Sequence, residues 1–386
     1  MQSVSGGKTS VYLDYAAGTP LDARVLAAMQ PYWTEMFGNP SSLHSFGRAA
    51  RRALFYAREQ TAALIAARPE EIFFTSGGTE SDNWAICGIA SAARAAGRGS
   101  HIITTAMEHH AVLQTCHHLE RCGFHVTYLP IDSTGVVDPL HVAEALQEDT
   151  VLVSVMTANN EVGTLQPVAE IGALLDARGI PFHTDAVQAA GHIPLDVDAL
   201  GVCALSLSAH KFYGPKGVGA LYIRRGTRMD PLLYGGAQER DLRAGTENVA
   251  AIVGCGKAAE IARAEQYAEE ARLRLYTELL RTELSSIDGI SFHGAPDQRL
   301  SGILNFGIQG IAQDTMLIRL DLAGFAVSAG SACSAGASHP SHVLHAMGLS
   351  AEEARTSIRV SLGRFTEHED VLSFAETVTE LAAQLR

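Results

Sequence analysis

The chain has 386 residues, 47% of them hydrophobic and 18% charged, a composition that suits a packed globular protein too large for a single core. Its net charge of −13 argues against a nucleic-acid footprint and against adhesion to anionic membranes. No run approaches the ~18 apolar residues of a membrane span and Met1–Ser10 has no leader-like hydrophobic core, so a cytoplasmic location is expected.

In chain order, Val11–Pro20 reads as a short extended segment closed by a turn, and its Asp14-Tyr15 pair is either structural or close to a site. Residues 21–30 and 48–67 carry helical periodicity around a loop at Phe37–His44. Glu71–Thr75 is a strand running into Ser76-Gly77-Gly78-Thr79-Glu80-Ser81 and then a helix. That turn is either an anion cradle, with backbone N–H groups helped by Ser76 and Thr79, or a helix start capped by Thr79 or Ser81. It matches no nucleotide motif.

Strands are predicted at 101–105, 124–129, 151–156, 181–184, 203–207 and 218–223, alternating with helices at 110–121, 139–146 and 168–178. This alternation predicts an α/β fold, a mostly parallel sheet between helices, with its site beyond the carboxyl ends of the strands. The polar residues at those ends are Ser76 and Thr79, Glu108 and His109, Asn159 to Glu161, Asp185 and Gln188, and Ser208, His210 and Lys211. Asp185, read as two residues past its strand, suits a general base, a metal ligand or the partner of a cationic ring nitrogen. His109, His110, His117 and His118 lack metal-site spacing, so no metal is expected.

Lys211 has a second mark. The chain holds four lysines, at 8, 211, 216 and 257, against 25 arginines. Arg stays protonated whereas Lys can act as an amine nucleophile, so a lysine after a buried strand suits Schiff-base chemistry. The alternative is an ordinary loop lysine.

Past Arg224 a polar loop carries Thr246, and a helix from about Asn248 to Ser285 leads into a smaller α+β domain. Its strands are predicted at 291–293, 303–308, 325–328 and 358–361, and its helices near 313–322, 341–347 and 367–385. The expected division is residues 15–258 for the large domain, with 1–14 and 259–386 forming the small one. Six cysteines, at 87, 116, 122, 203, 255 and 333, form no CxxC pair and are expected as free thiols. Cys333 stands in Ala329–Pro340, a run of small residues expected to be mobile, and is expected to be reactive. Arg359, inside a strand-like run, needs a carboxylate partner, either structural or a substrate's own.

From Tyr12-Leu-Asp-Tyr-Ala-Ala to Ser357-Ile-Arg-Val-Ser-Leu-Gly-Arg-Phe365 the chain resembles the cysteine desulfurases, pyridoxal 5'-phosphate enzymes of the class V aminotransferase superfamily and fold type I. Ser208-Ala-His-Lys211 is similar to the family's cofactor lysine motif, and Gly330-Ser-Ala-Cys333-Ser to the persulfide loop of its first, long-loop group. The resemblance implies that Gly78, Thr79, Ser208 and His210 hold the cofactor phosphate. It places His109 on the ring, Asp185 at the ring nitrogen, and Gln188 and Asn160 at the ring oxygen. It implies catalysis by Lys211, Cys333 and His109, and a carboxylate clamp of Arg359 and Asn160 for L-cysteine. It implies a homodimer in which Thr246 reaches the other subunit's phosphate, and a sulfur acceptor such as an iron–sulfur scaffold or a thiolation relay. Gly18 and His110 depart from the family's usual Thr and Lys. The sequence ends soon after its last predicted helix, so a long C-terminal docking tail is expected to be absent, which leaves the acceptor open. An aminotransferase has no use for Cys333, selenocysteine cleavage stays open, and intact Lys211, Asp185 and His109 argue against a silent scaffold.

Overall fold

The alternating runs form a seven-stranded sheet in the computed structural model, which describes residues 10–330 and 341–386. Cys333 and the rest of 331–340 lie outside the described residues. The first eight strands are β1 (Val11–Tyr12), β2 (Ile72–Thr75), β3 (His101–Thr105), β4 (His125–Leu129), β5 (Thr150–Ser154), β6 (Phe182–Asp185), β7 (Ala204–Ser208) and β8 (Gly219–Ile223). All but β1 enter the sheet, in the order β2-β8-β7-β6-β5-β3-β4.

The pairs β4–β3, β3–β5, β5–β6 and β6–β7 are parallel, while β8 runs antiparallel to both β7 and β2. The reason is chain length. A parallel neighbour needs a crossover of a dozen or more residues, and only Ala209–Val218 separates β7 from β8. That short return is where Lys211 sits.

Strands β3, β5, β6 and β7 are buried along their whole length, as expected for a sheet covered on both faces. Trp84, Ile86 and Ile89 of helix Gly78–Ala95 pack with Ile102, Leu152 and Ala204 on one face. On the other face Ile103, Val153 and Leu205 meet Ile171 and Leu175 of helix Val168–Asp176 and Ala258 of helix Val249–Leu284. Asp185 is the last residue of β6 rather than a residue beyond it, because pairing with β7 carries the strand out to the Asp185–Ser206 register.

The remaining strands are β9 (Ile290–His293), β10 (Ile303–Ile308), β11 (Phe325–Ala326) and β12 (Ser357–Ser361). An antiparallel sheet β12-β10-β9 packs against Leu280, Leu284, Phe374 and Val378. The strand expected at 325–328 meets it only through a single Ser328–Arg359 bridge to β12. It shortens to β11 and pairs in parallel with β1, because Leu13 and Phe325 share this second core.

Gly219, at the start of β8, has no room for a side chain. A Cβ there would lie 2.4 Å from Leu207 O and 2.7 Å from Gly77 Cα. Gly219→Ala should therefore push β8 away from β7 and from the Gly77 turn, lowering stability by about 1–3 kcal/mol. Urea unfolding with an unchanged midpoint would contradict this.

Candidate active site

A cavity of about 300 Å³ lies beyond the carboxyl ends of β2, β5, β6 and β7, closed from the other side by Arg359 of β12, Gly330 and His342. At one end stands the start of helix Gly78–Ala95. Its N-cap is Gly77, with no side-chain cap, so the capping reading for Thr79 and Ser81 is overturned. Ser81 lies inside the helix and bonds back to Gly77 O and Thr75 Oγ1. Uncapped N–H groups and the helix dipole favour negative charge at this end of the cavity. A side chain at Gly78 would put Cβ 2.6 Å from Val187 Cγ2, so glycine here lets the turn close over the next strand end. Ser208 Oγ and His210 Nδ1, 2.9 Å apart, stand nearby. Burial, helped by the charge of Lys211, pushes the His210 imidazole down to about 4, so it meets an anion as a neutral hydrogen-bonding group. Thr79 lines the cavity, whereas Ser76 is exposed and does not.

Lys211 ends a single 3-10 turn after β7 and is half-buried rather than fully buried. Its Nζ donates to Ala16 O at 2.5 Å and to Ala17 O at 3.0 Å. Gln188 Nε2 also donates to Ala16 O, at 2.9 Å. Neither alanine carries a side-chain signal for this role, because the acceptor is backbone.

Asp185 is buried in the cavity wall, and its Oδ1 accepts the Val187 N–H at 2.9 Å. Burial raises its carboxyl above the ordinary range, while His109, the Val187 N–H and Lys211 pull it back. On the same face of β6 lies His183, fully buried between the hydroxyls of Ser154 at 2.9 Å and Ser206 at 3.0 Å. Burial depresses His183 to about 3, so it stays neutral. His109 caps helix His110–Arg121 by accepting the Ala111 N–H on Nδ1 at 3.1 Å. A neutral ring accepting on Nδ1 carries its proton on Nε2.

The structural reading of Arg359 holds, with Asp14 as its carboxylate partner. Arg359 is 1% exposed and donates to Asp14 Oδ1 at 2.7 Å from Nη2. Its Nη1 donates to Asn160 O and Gly330 O. Its Nε is buried without a partner. Asp14, noted in the sequence only as one of a polar pair, is thus the structural partner.

Of the residues gathered from strand ends, Glu108 and Asn159 stand behind the wall. Glu108 Oε1 accepts from Thr105 Oγ1 and Met156 N, and Asn159 Oδ1 accepts from the backbone of Glu161 and Val162. Thr246 is exposed and is not part of this cavity. Asp82, His110 and His342 are wall residues that the sequence reading did not assign to the site, and it placed Glu161 there only by position. The rings of His110 and His342 lie 4.6 Å apart. Helical spacing alone marks none of these as site residues. Among the described residues no group of three His, Cys, Asp or Glu is arranged to hold a metal ion.

The family model described as aminotransferase class-V matches residues 11–374. A cysteine desulfurase IscS of Dictyoglomus turgidum is 50% identical over 98% of this chain and 96% of its own length. That of Methanosarcina thermophila is 49% identical over 100% and 95%. Among solved structures, a NifS-like protein superposes with a TM-score of 0.92 at 39% identity, covering 97% of this chain and 100% of its own. SspA in complex with cysteine gives 0.81 at 40% identity, covering 93% and 100%.

His183 makes stability depend on pH. Its folded value of about 3 lies below the ordinary 6.5, so on acidification the unfolded chain binds a proton that the folded chain refuses. Stability should fall as pH drops from 6.5 toward 3, by about 1.4 kcal/mol per pH unit from this residue. His183→Gln should flatten that slope in urea titrations between pH 7 and 5. An identical slope in both proteins would contradict it.

Proposed function

The chain belongs to the aminotransferase class-V family and has cysteine desulfurases as relatives across its length; from that premise we propose that it takes sulfur from L-cysteine, leaving L-alanine, with pyridoxal 5'-phosphate as cofactor. What carries this reading is the meeting of an uncapped helix start, a buried aspartate, a lysine and an arginine with a free N–H in one cavity.

The residues present fit the cofactor. Gly78, Thr79, Ser208 and His210 would hold its phosphate, because the helix start offers N–H groups that no side chain covers. Asp185 would meet the ring nitrogen, Gln188 and Asn160 the ring oxygen, and His109 the ring face. When bound, the cofactor supplies an electron sink for the charge left at Cα after proton removal.

The chain's own groups do the rest. Arg359 receives the α-carboxylate, held in place by Asp14, which also balances its charge. Lys211 Nζ, released from Ala16 O and Ala17 O, removes the Cα proton as a neutral amine. Asp185 keeps a negative charge where a cationic nitrogen needs one. His109, in the cavity wall, would stand over the ring and help move protons. The Cys333 thiolate attacks the substrate sulfur. A sulfur–sulfur bond forms, and the electrons of the carbon–sulfur bond leave with the fragment that becomes alanine.

The sulfur then passes to an acceptor, an iron–sulfur scaffold or a thiolation partner. A homodimer is supported by apolar side chains left in solvent, Trp33 at 54%, Phe37 at 69% and Leu43 at 82% exposure, and Thr246 would reach the other subunit's phosphate. No helix among the described residues is long and apolar enough to cross a membrane, in keeping with a cytoplasmic enzyme.

Borohydride reduction of the loaded protein should label the peptide bearing Lys211, and Lys211→Ala should lower turnover by about 10²–10⁴-fold or more. Label on Lys216 or Lys257 would overturn the assignment. Cys333→Ser should keep the cofactor's visible absorption and lose sulfide release. After incubation with cysteine, alkylation should find one extra sulfur on the Cys333 peptide of the wild type; extra sulfur on any other cysteine would contradict the reading.

A further inference from the structure

Helix Gly78–Ala95 carries a carboxyl that the chemistry above does not use. Asp82, one turn into that helix, is 1% exposed and lines the cavity. Alternate residues of a strand share a face, so His183 and Asp185 of β6 and Ser206 of β7 form the surface beneath it. Ser206 Oγ is taken up by His183 Nε2, at 3.0 Å. Asp82 Oδ1 has no partner and stands 3.7 Å from His183 Nε2. His183 offers no charge there, being neutral and already engaged with Ser154 and Ser206.

Asp82 and Asp185 line the same cavity, and Asp82 Oδ1 comes within 3.7 Å of His183, two residues before Asp185 on the same strand face, so the charges of the two carboxyls repel. Two carboxylates in such a water-poor place cannot both be ionised, and their partners decide which one keeps the proton. Asp185 has the Val187 N–H at 2.9 Å and the attraction of His109 and Lys211. Asp82 has an Oδ1 with no hydrogen-bond partner and the added repulsion of Glu108. Burial, followed by the charge of Asp185, raises Asp82 well above the carboxylate range, and burial pushes Glu108 up to about 8. The charge belongs on Asp185 and the proton on Asp82.

We propose that Asp82 is a positioning residue for Asp185: as a neutral acid beside it, Asp82 leaves one negative charge at this end of the pocket and stabilises that charge with its O–H dipole. This role presupposes that Asp185 meets the ring nitrogen of the bound cofactor.

Infrared difference spectra of the cofactor-loaded protein at neutral pH test where the proton sits. Asp82→Asn, close in shape and neutral, should remove the carbonyl stretch of a protonated carboxylic acid. The same stretch should persist in Asp185→Asn, and the acid band of Glu108 cancels in the difference. The pH midpoint of the visible absorption tests the positioning role. Asp82→Ala should move it by about one to two pH units, and Asp82→Asn, whose amide also donates, should restore it. Loss of an ionised-carboxylate band in place of an acid band would overturn the proposal. So would an Asp82→Ala profile that superimposes on the wild type, the result expected if Asp82 only supports the fold. Both outcomes leave the cofactor reading standing. A wild type that shows no visible band with pyridoxal phosphate would remove the assignment of Asp185, and this role with it.

Discussion

Two hydrogen bonds from Lys211 Nζ, to the carbonyls of Ala16 and Ala17, tie together parts of the chain that would otherwise be independent. The segment that supplies those carbonyls starts as β1 beside β11, and its Leu13 sits in the second core. One residue on, Asp14 fixes Arg359, and two residues later the backbone meets the lysine. A few consecutive residues therefore set the lysine and the arginine in one frame, although one comes from the large sheet and the other from the small one. Rotation of either sheet would break bonds that both need.

The large sheet adds a second constraint. Parallel strands end together, so β2, β5, β6 and β7 all deliver polar residues to one edge. β8 breaks the pattern because its connection is too short for a crossover, and the lysine occupies that short return. Backbone demands at the helix start and at the return place the uncapped helix end and the amine after β2 and β7, on either side of β8, before any side chain is chosen.

Electrostatics in this water-poor space is a matter of partners. Burial of Arg359 is offset by the Asp14 carboxylate and two backbone carbonyls, which leave its Nε without a partner. His183 and His210 are neutral because burial leaves no compensation for a positive charge. Asp185 has the Val187 N–H and Lys211 to favour its charge and Asp82 has no such partner, so two chemically identical side chains take different protonation states. The contrast comes from which strand or helix each stands on.

Strand and helix alternation, the scarcity of lysine, the Gly-Gly turn after β2, and an arginine within a strand were legible in the residues themselves, because each is local. Periodicity reports burial, and a glycine or a lone lysine reports a backbone or chemical need at its own position. From these came the sheet, the edge where ligands bind, and Gly78, Asp185, Ser208 and Lys211 as members of one site. What the sequence left open was partnership: capping versus anion binding at Thr79, a structural or a substrate carboxylate for Arg359, the strand at Phe325. It gave no sign that Ala16 and Ala17 hold the lysine, or that Asp82 shares the cavity wall with Asp185. Those relations join residues tens to hundreds of positions apart through backbone atoms and packing, and only the tertiary structure decides which distant groups meet in a space that water has left.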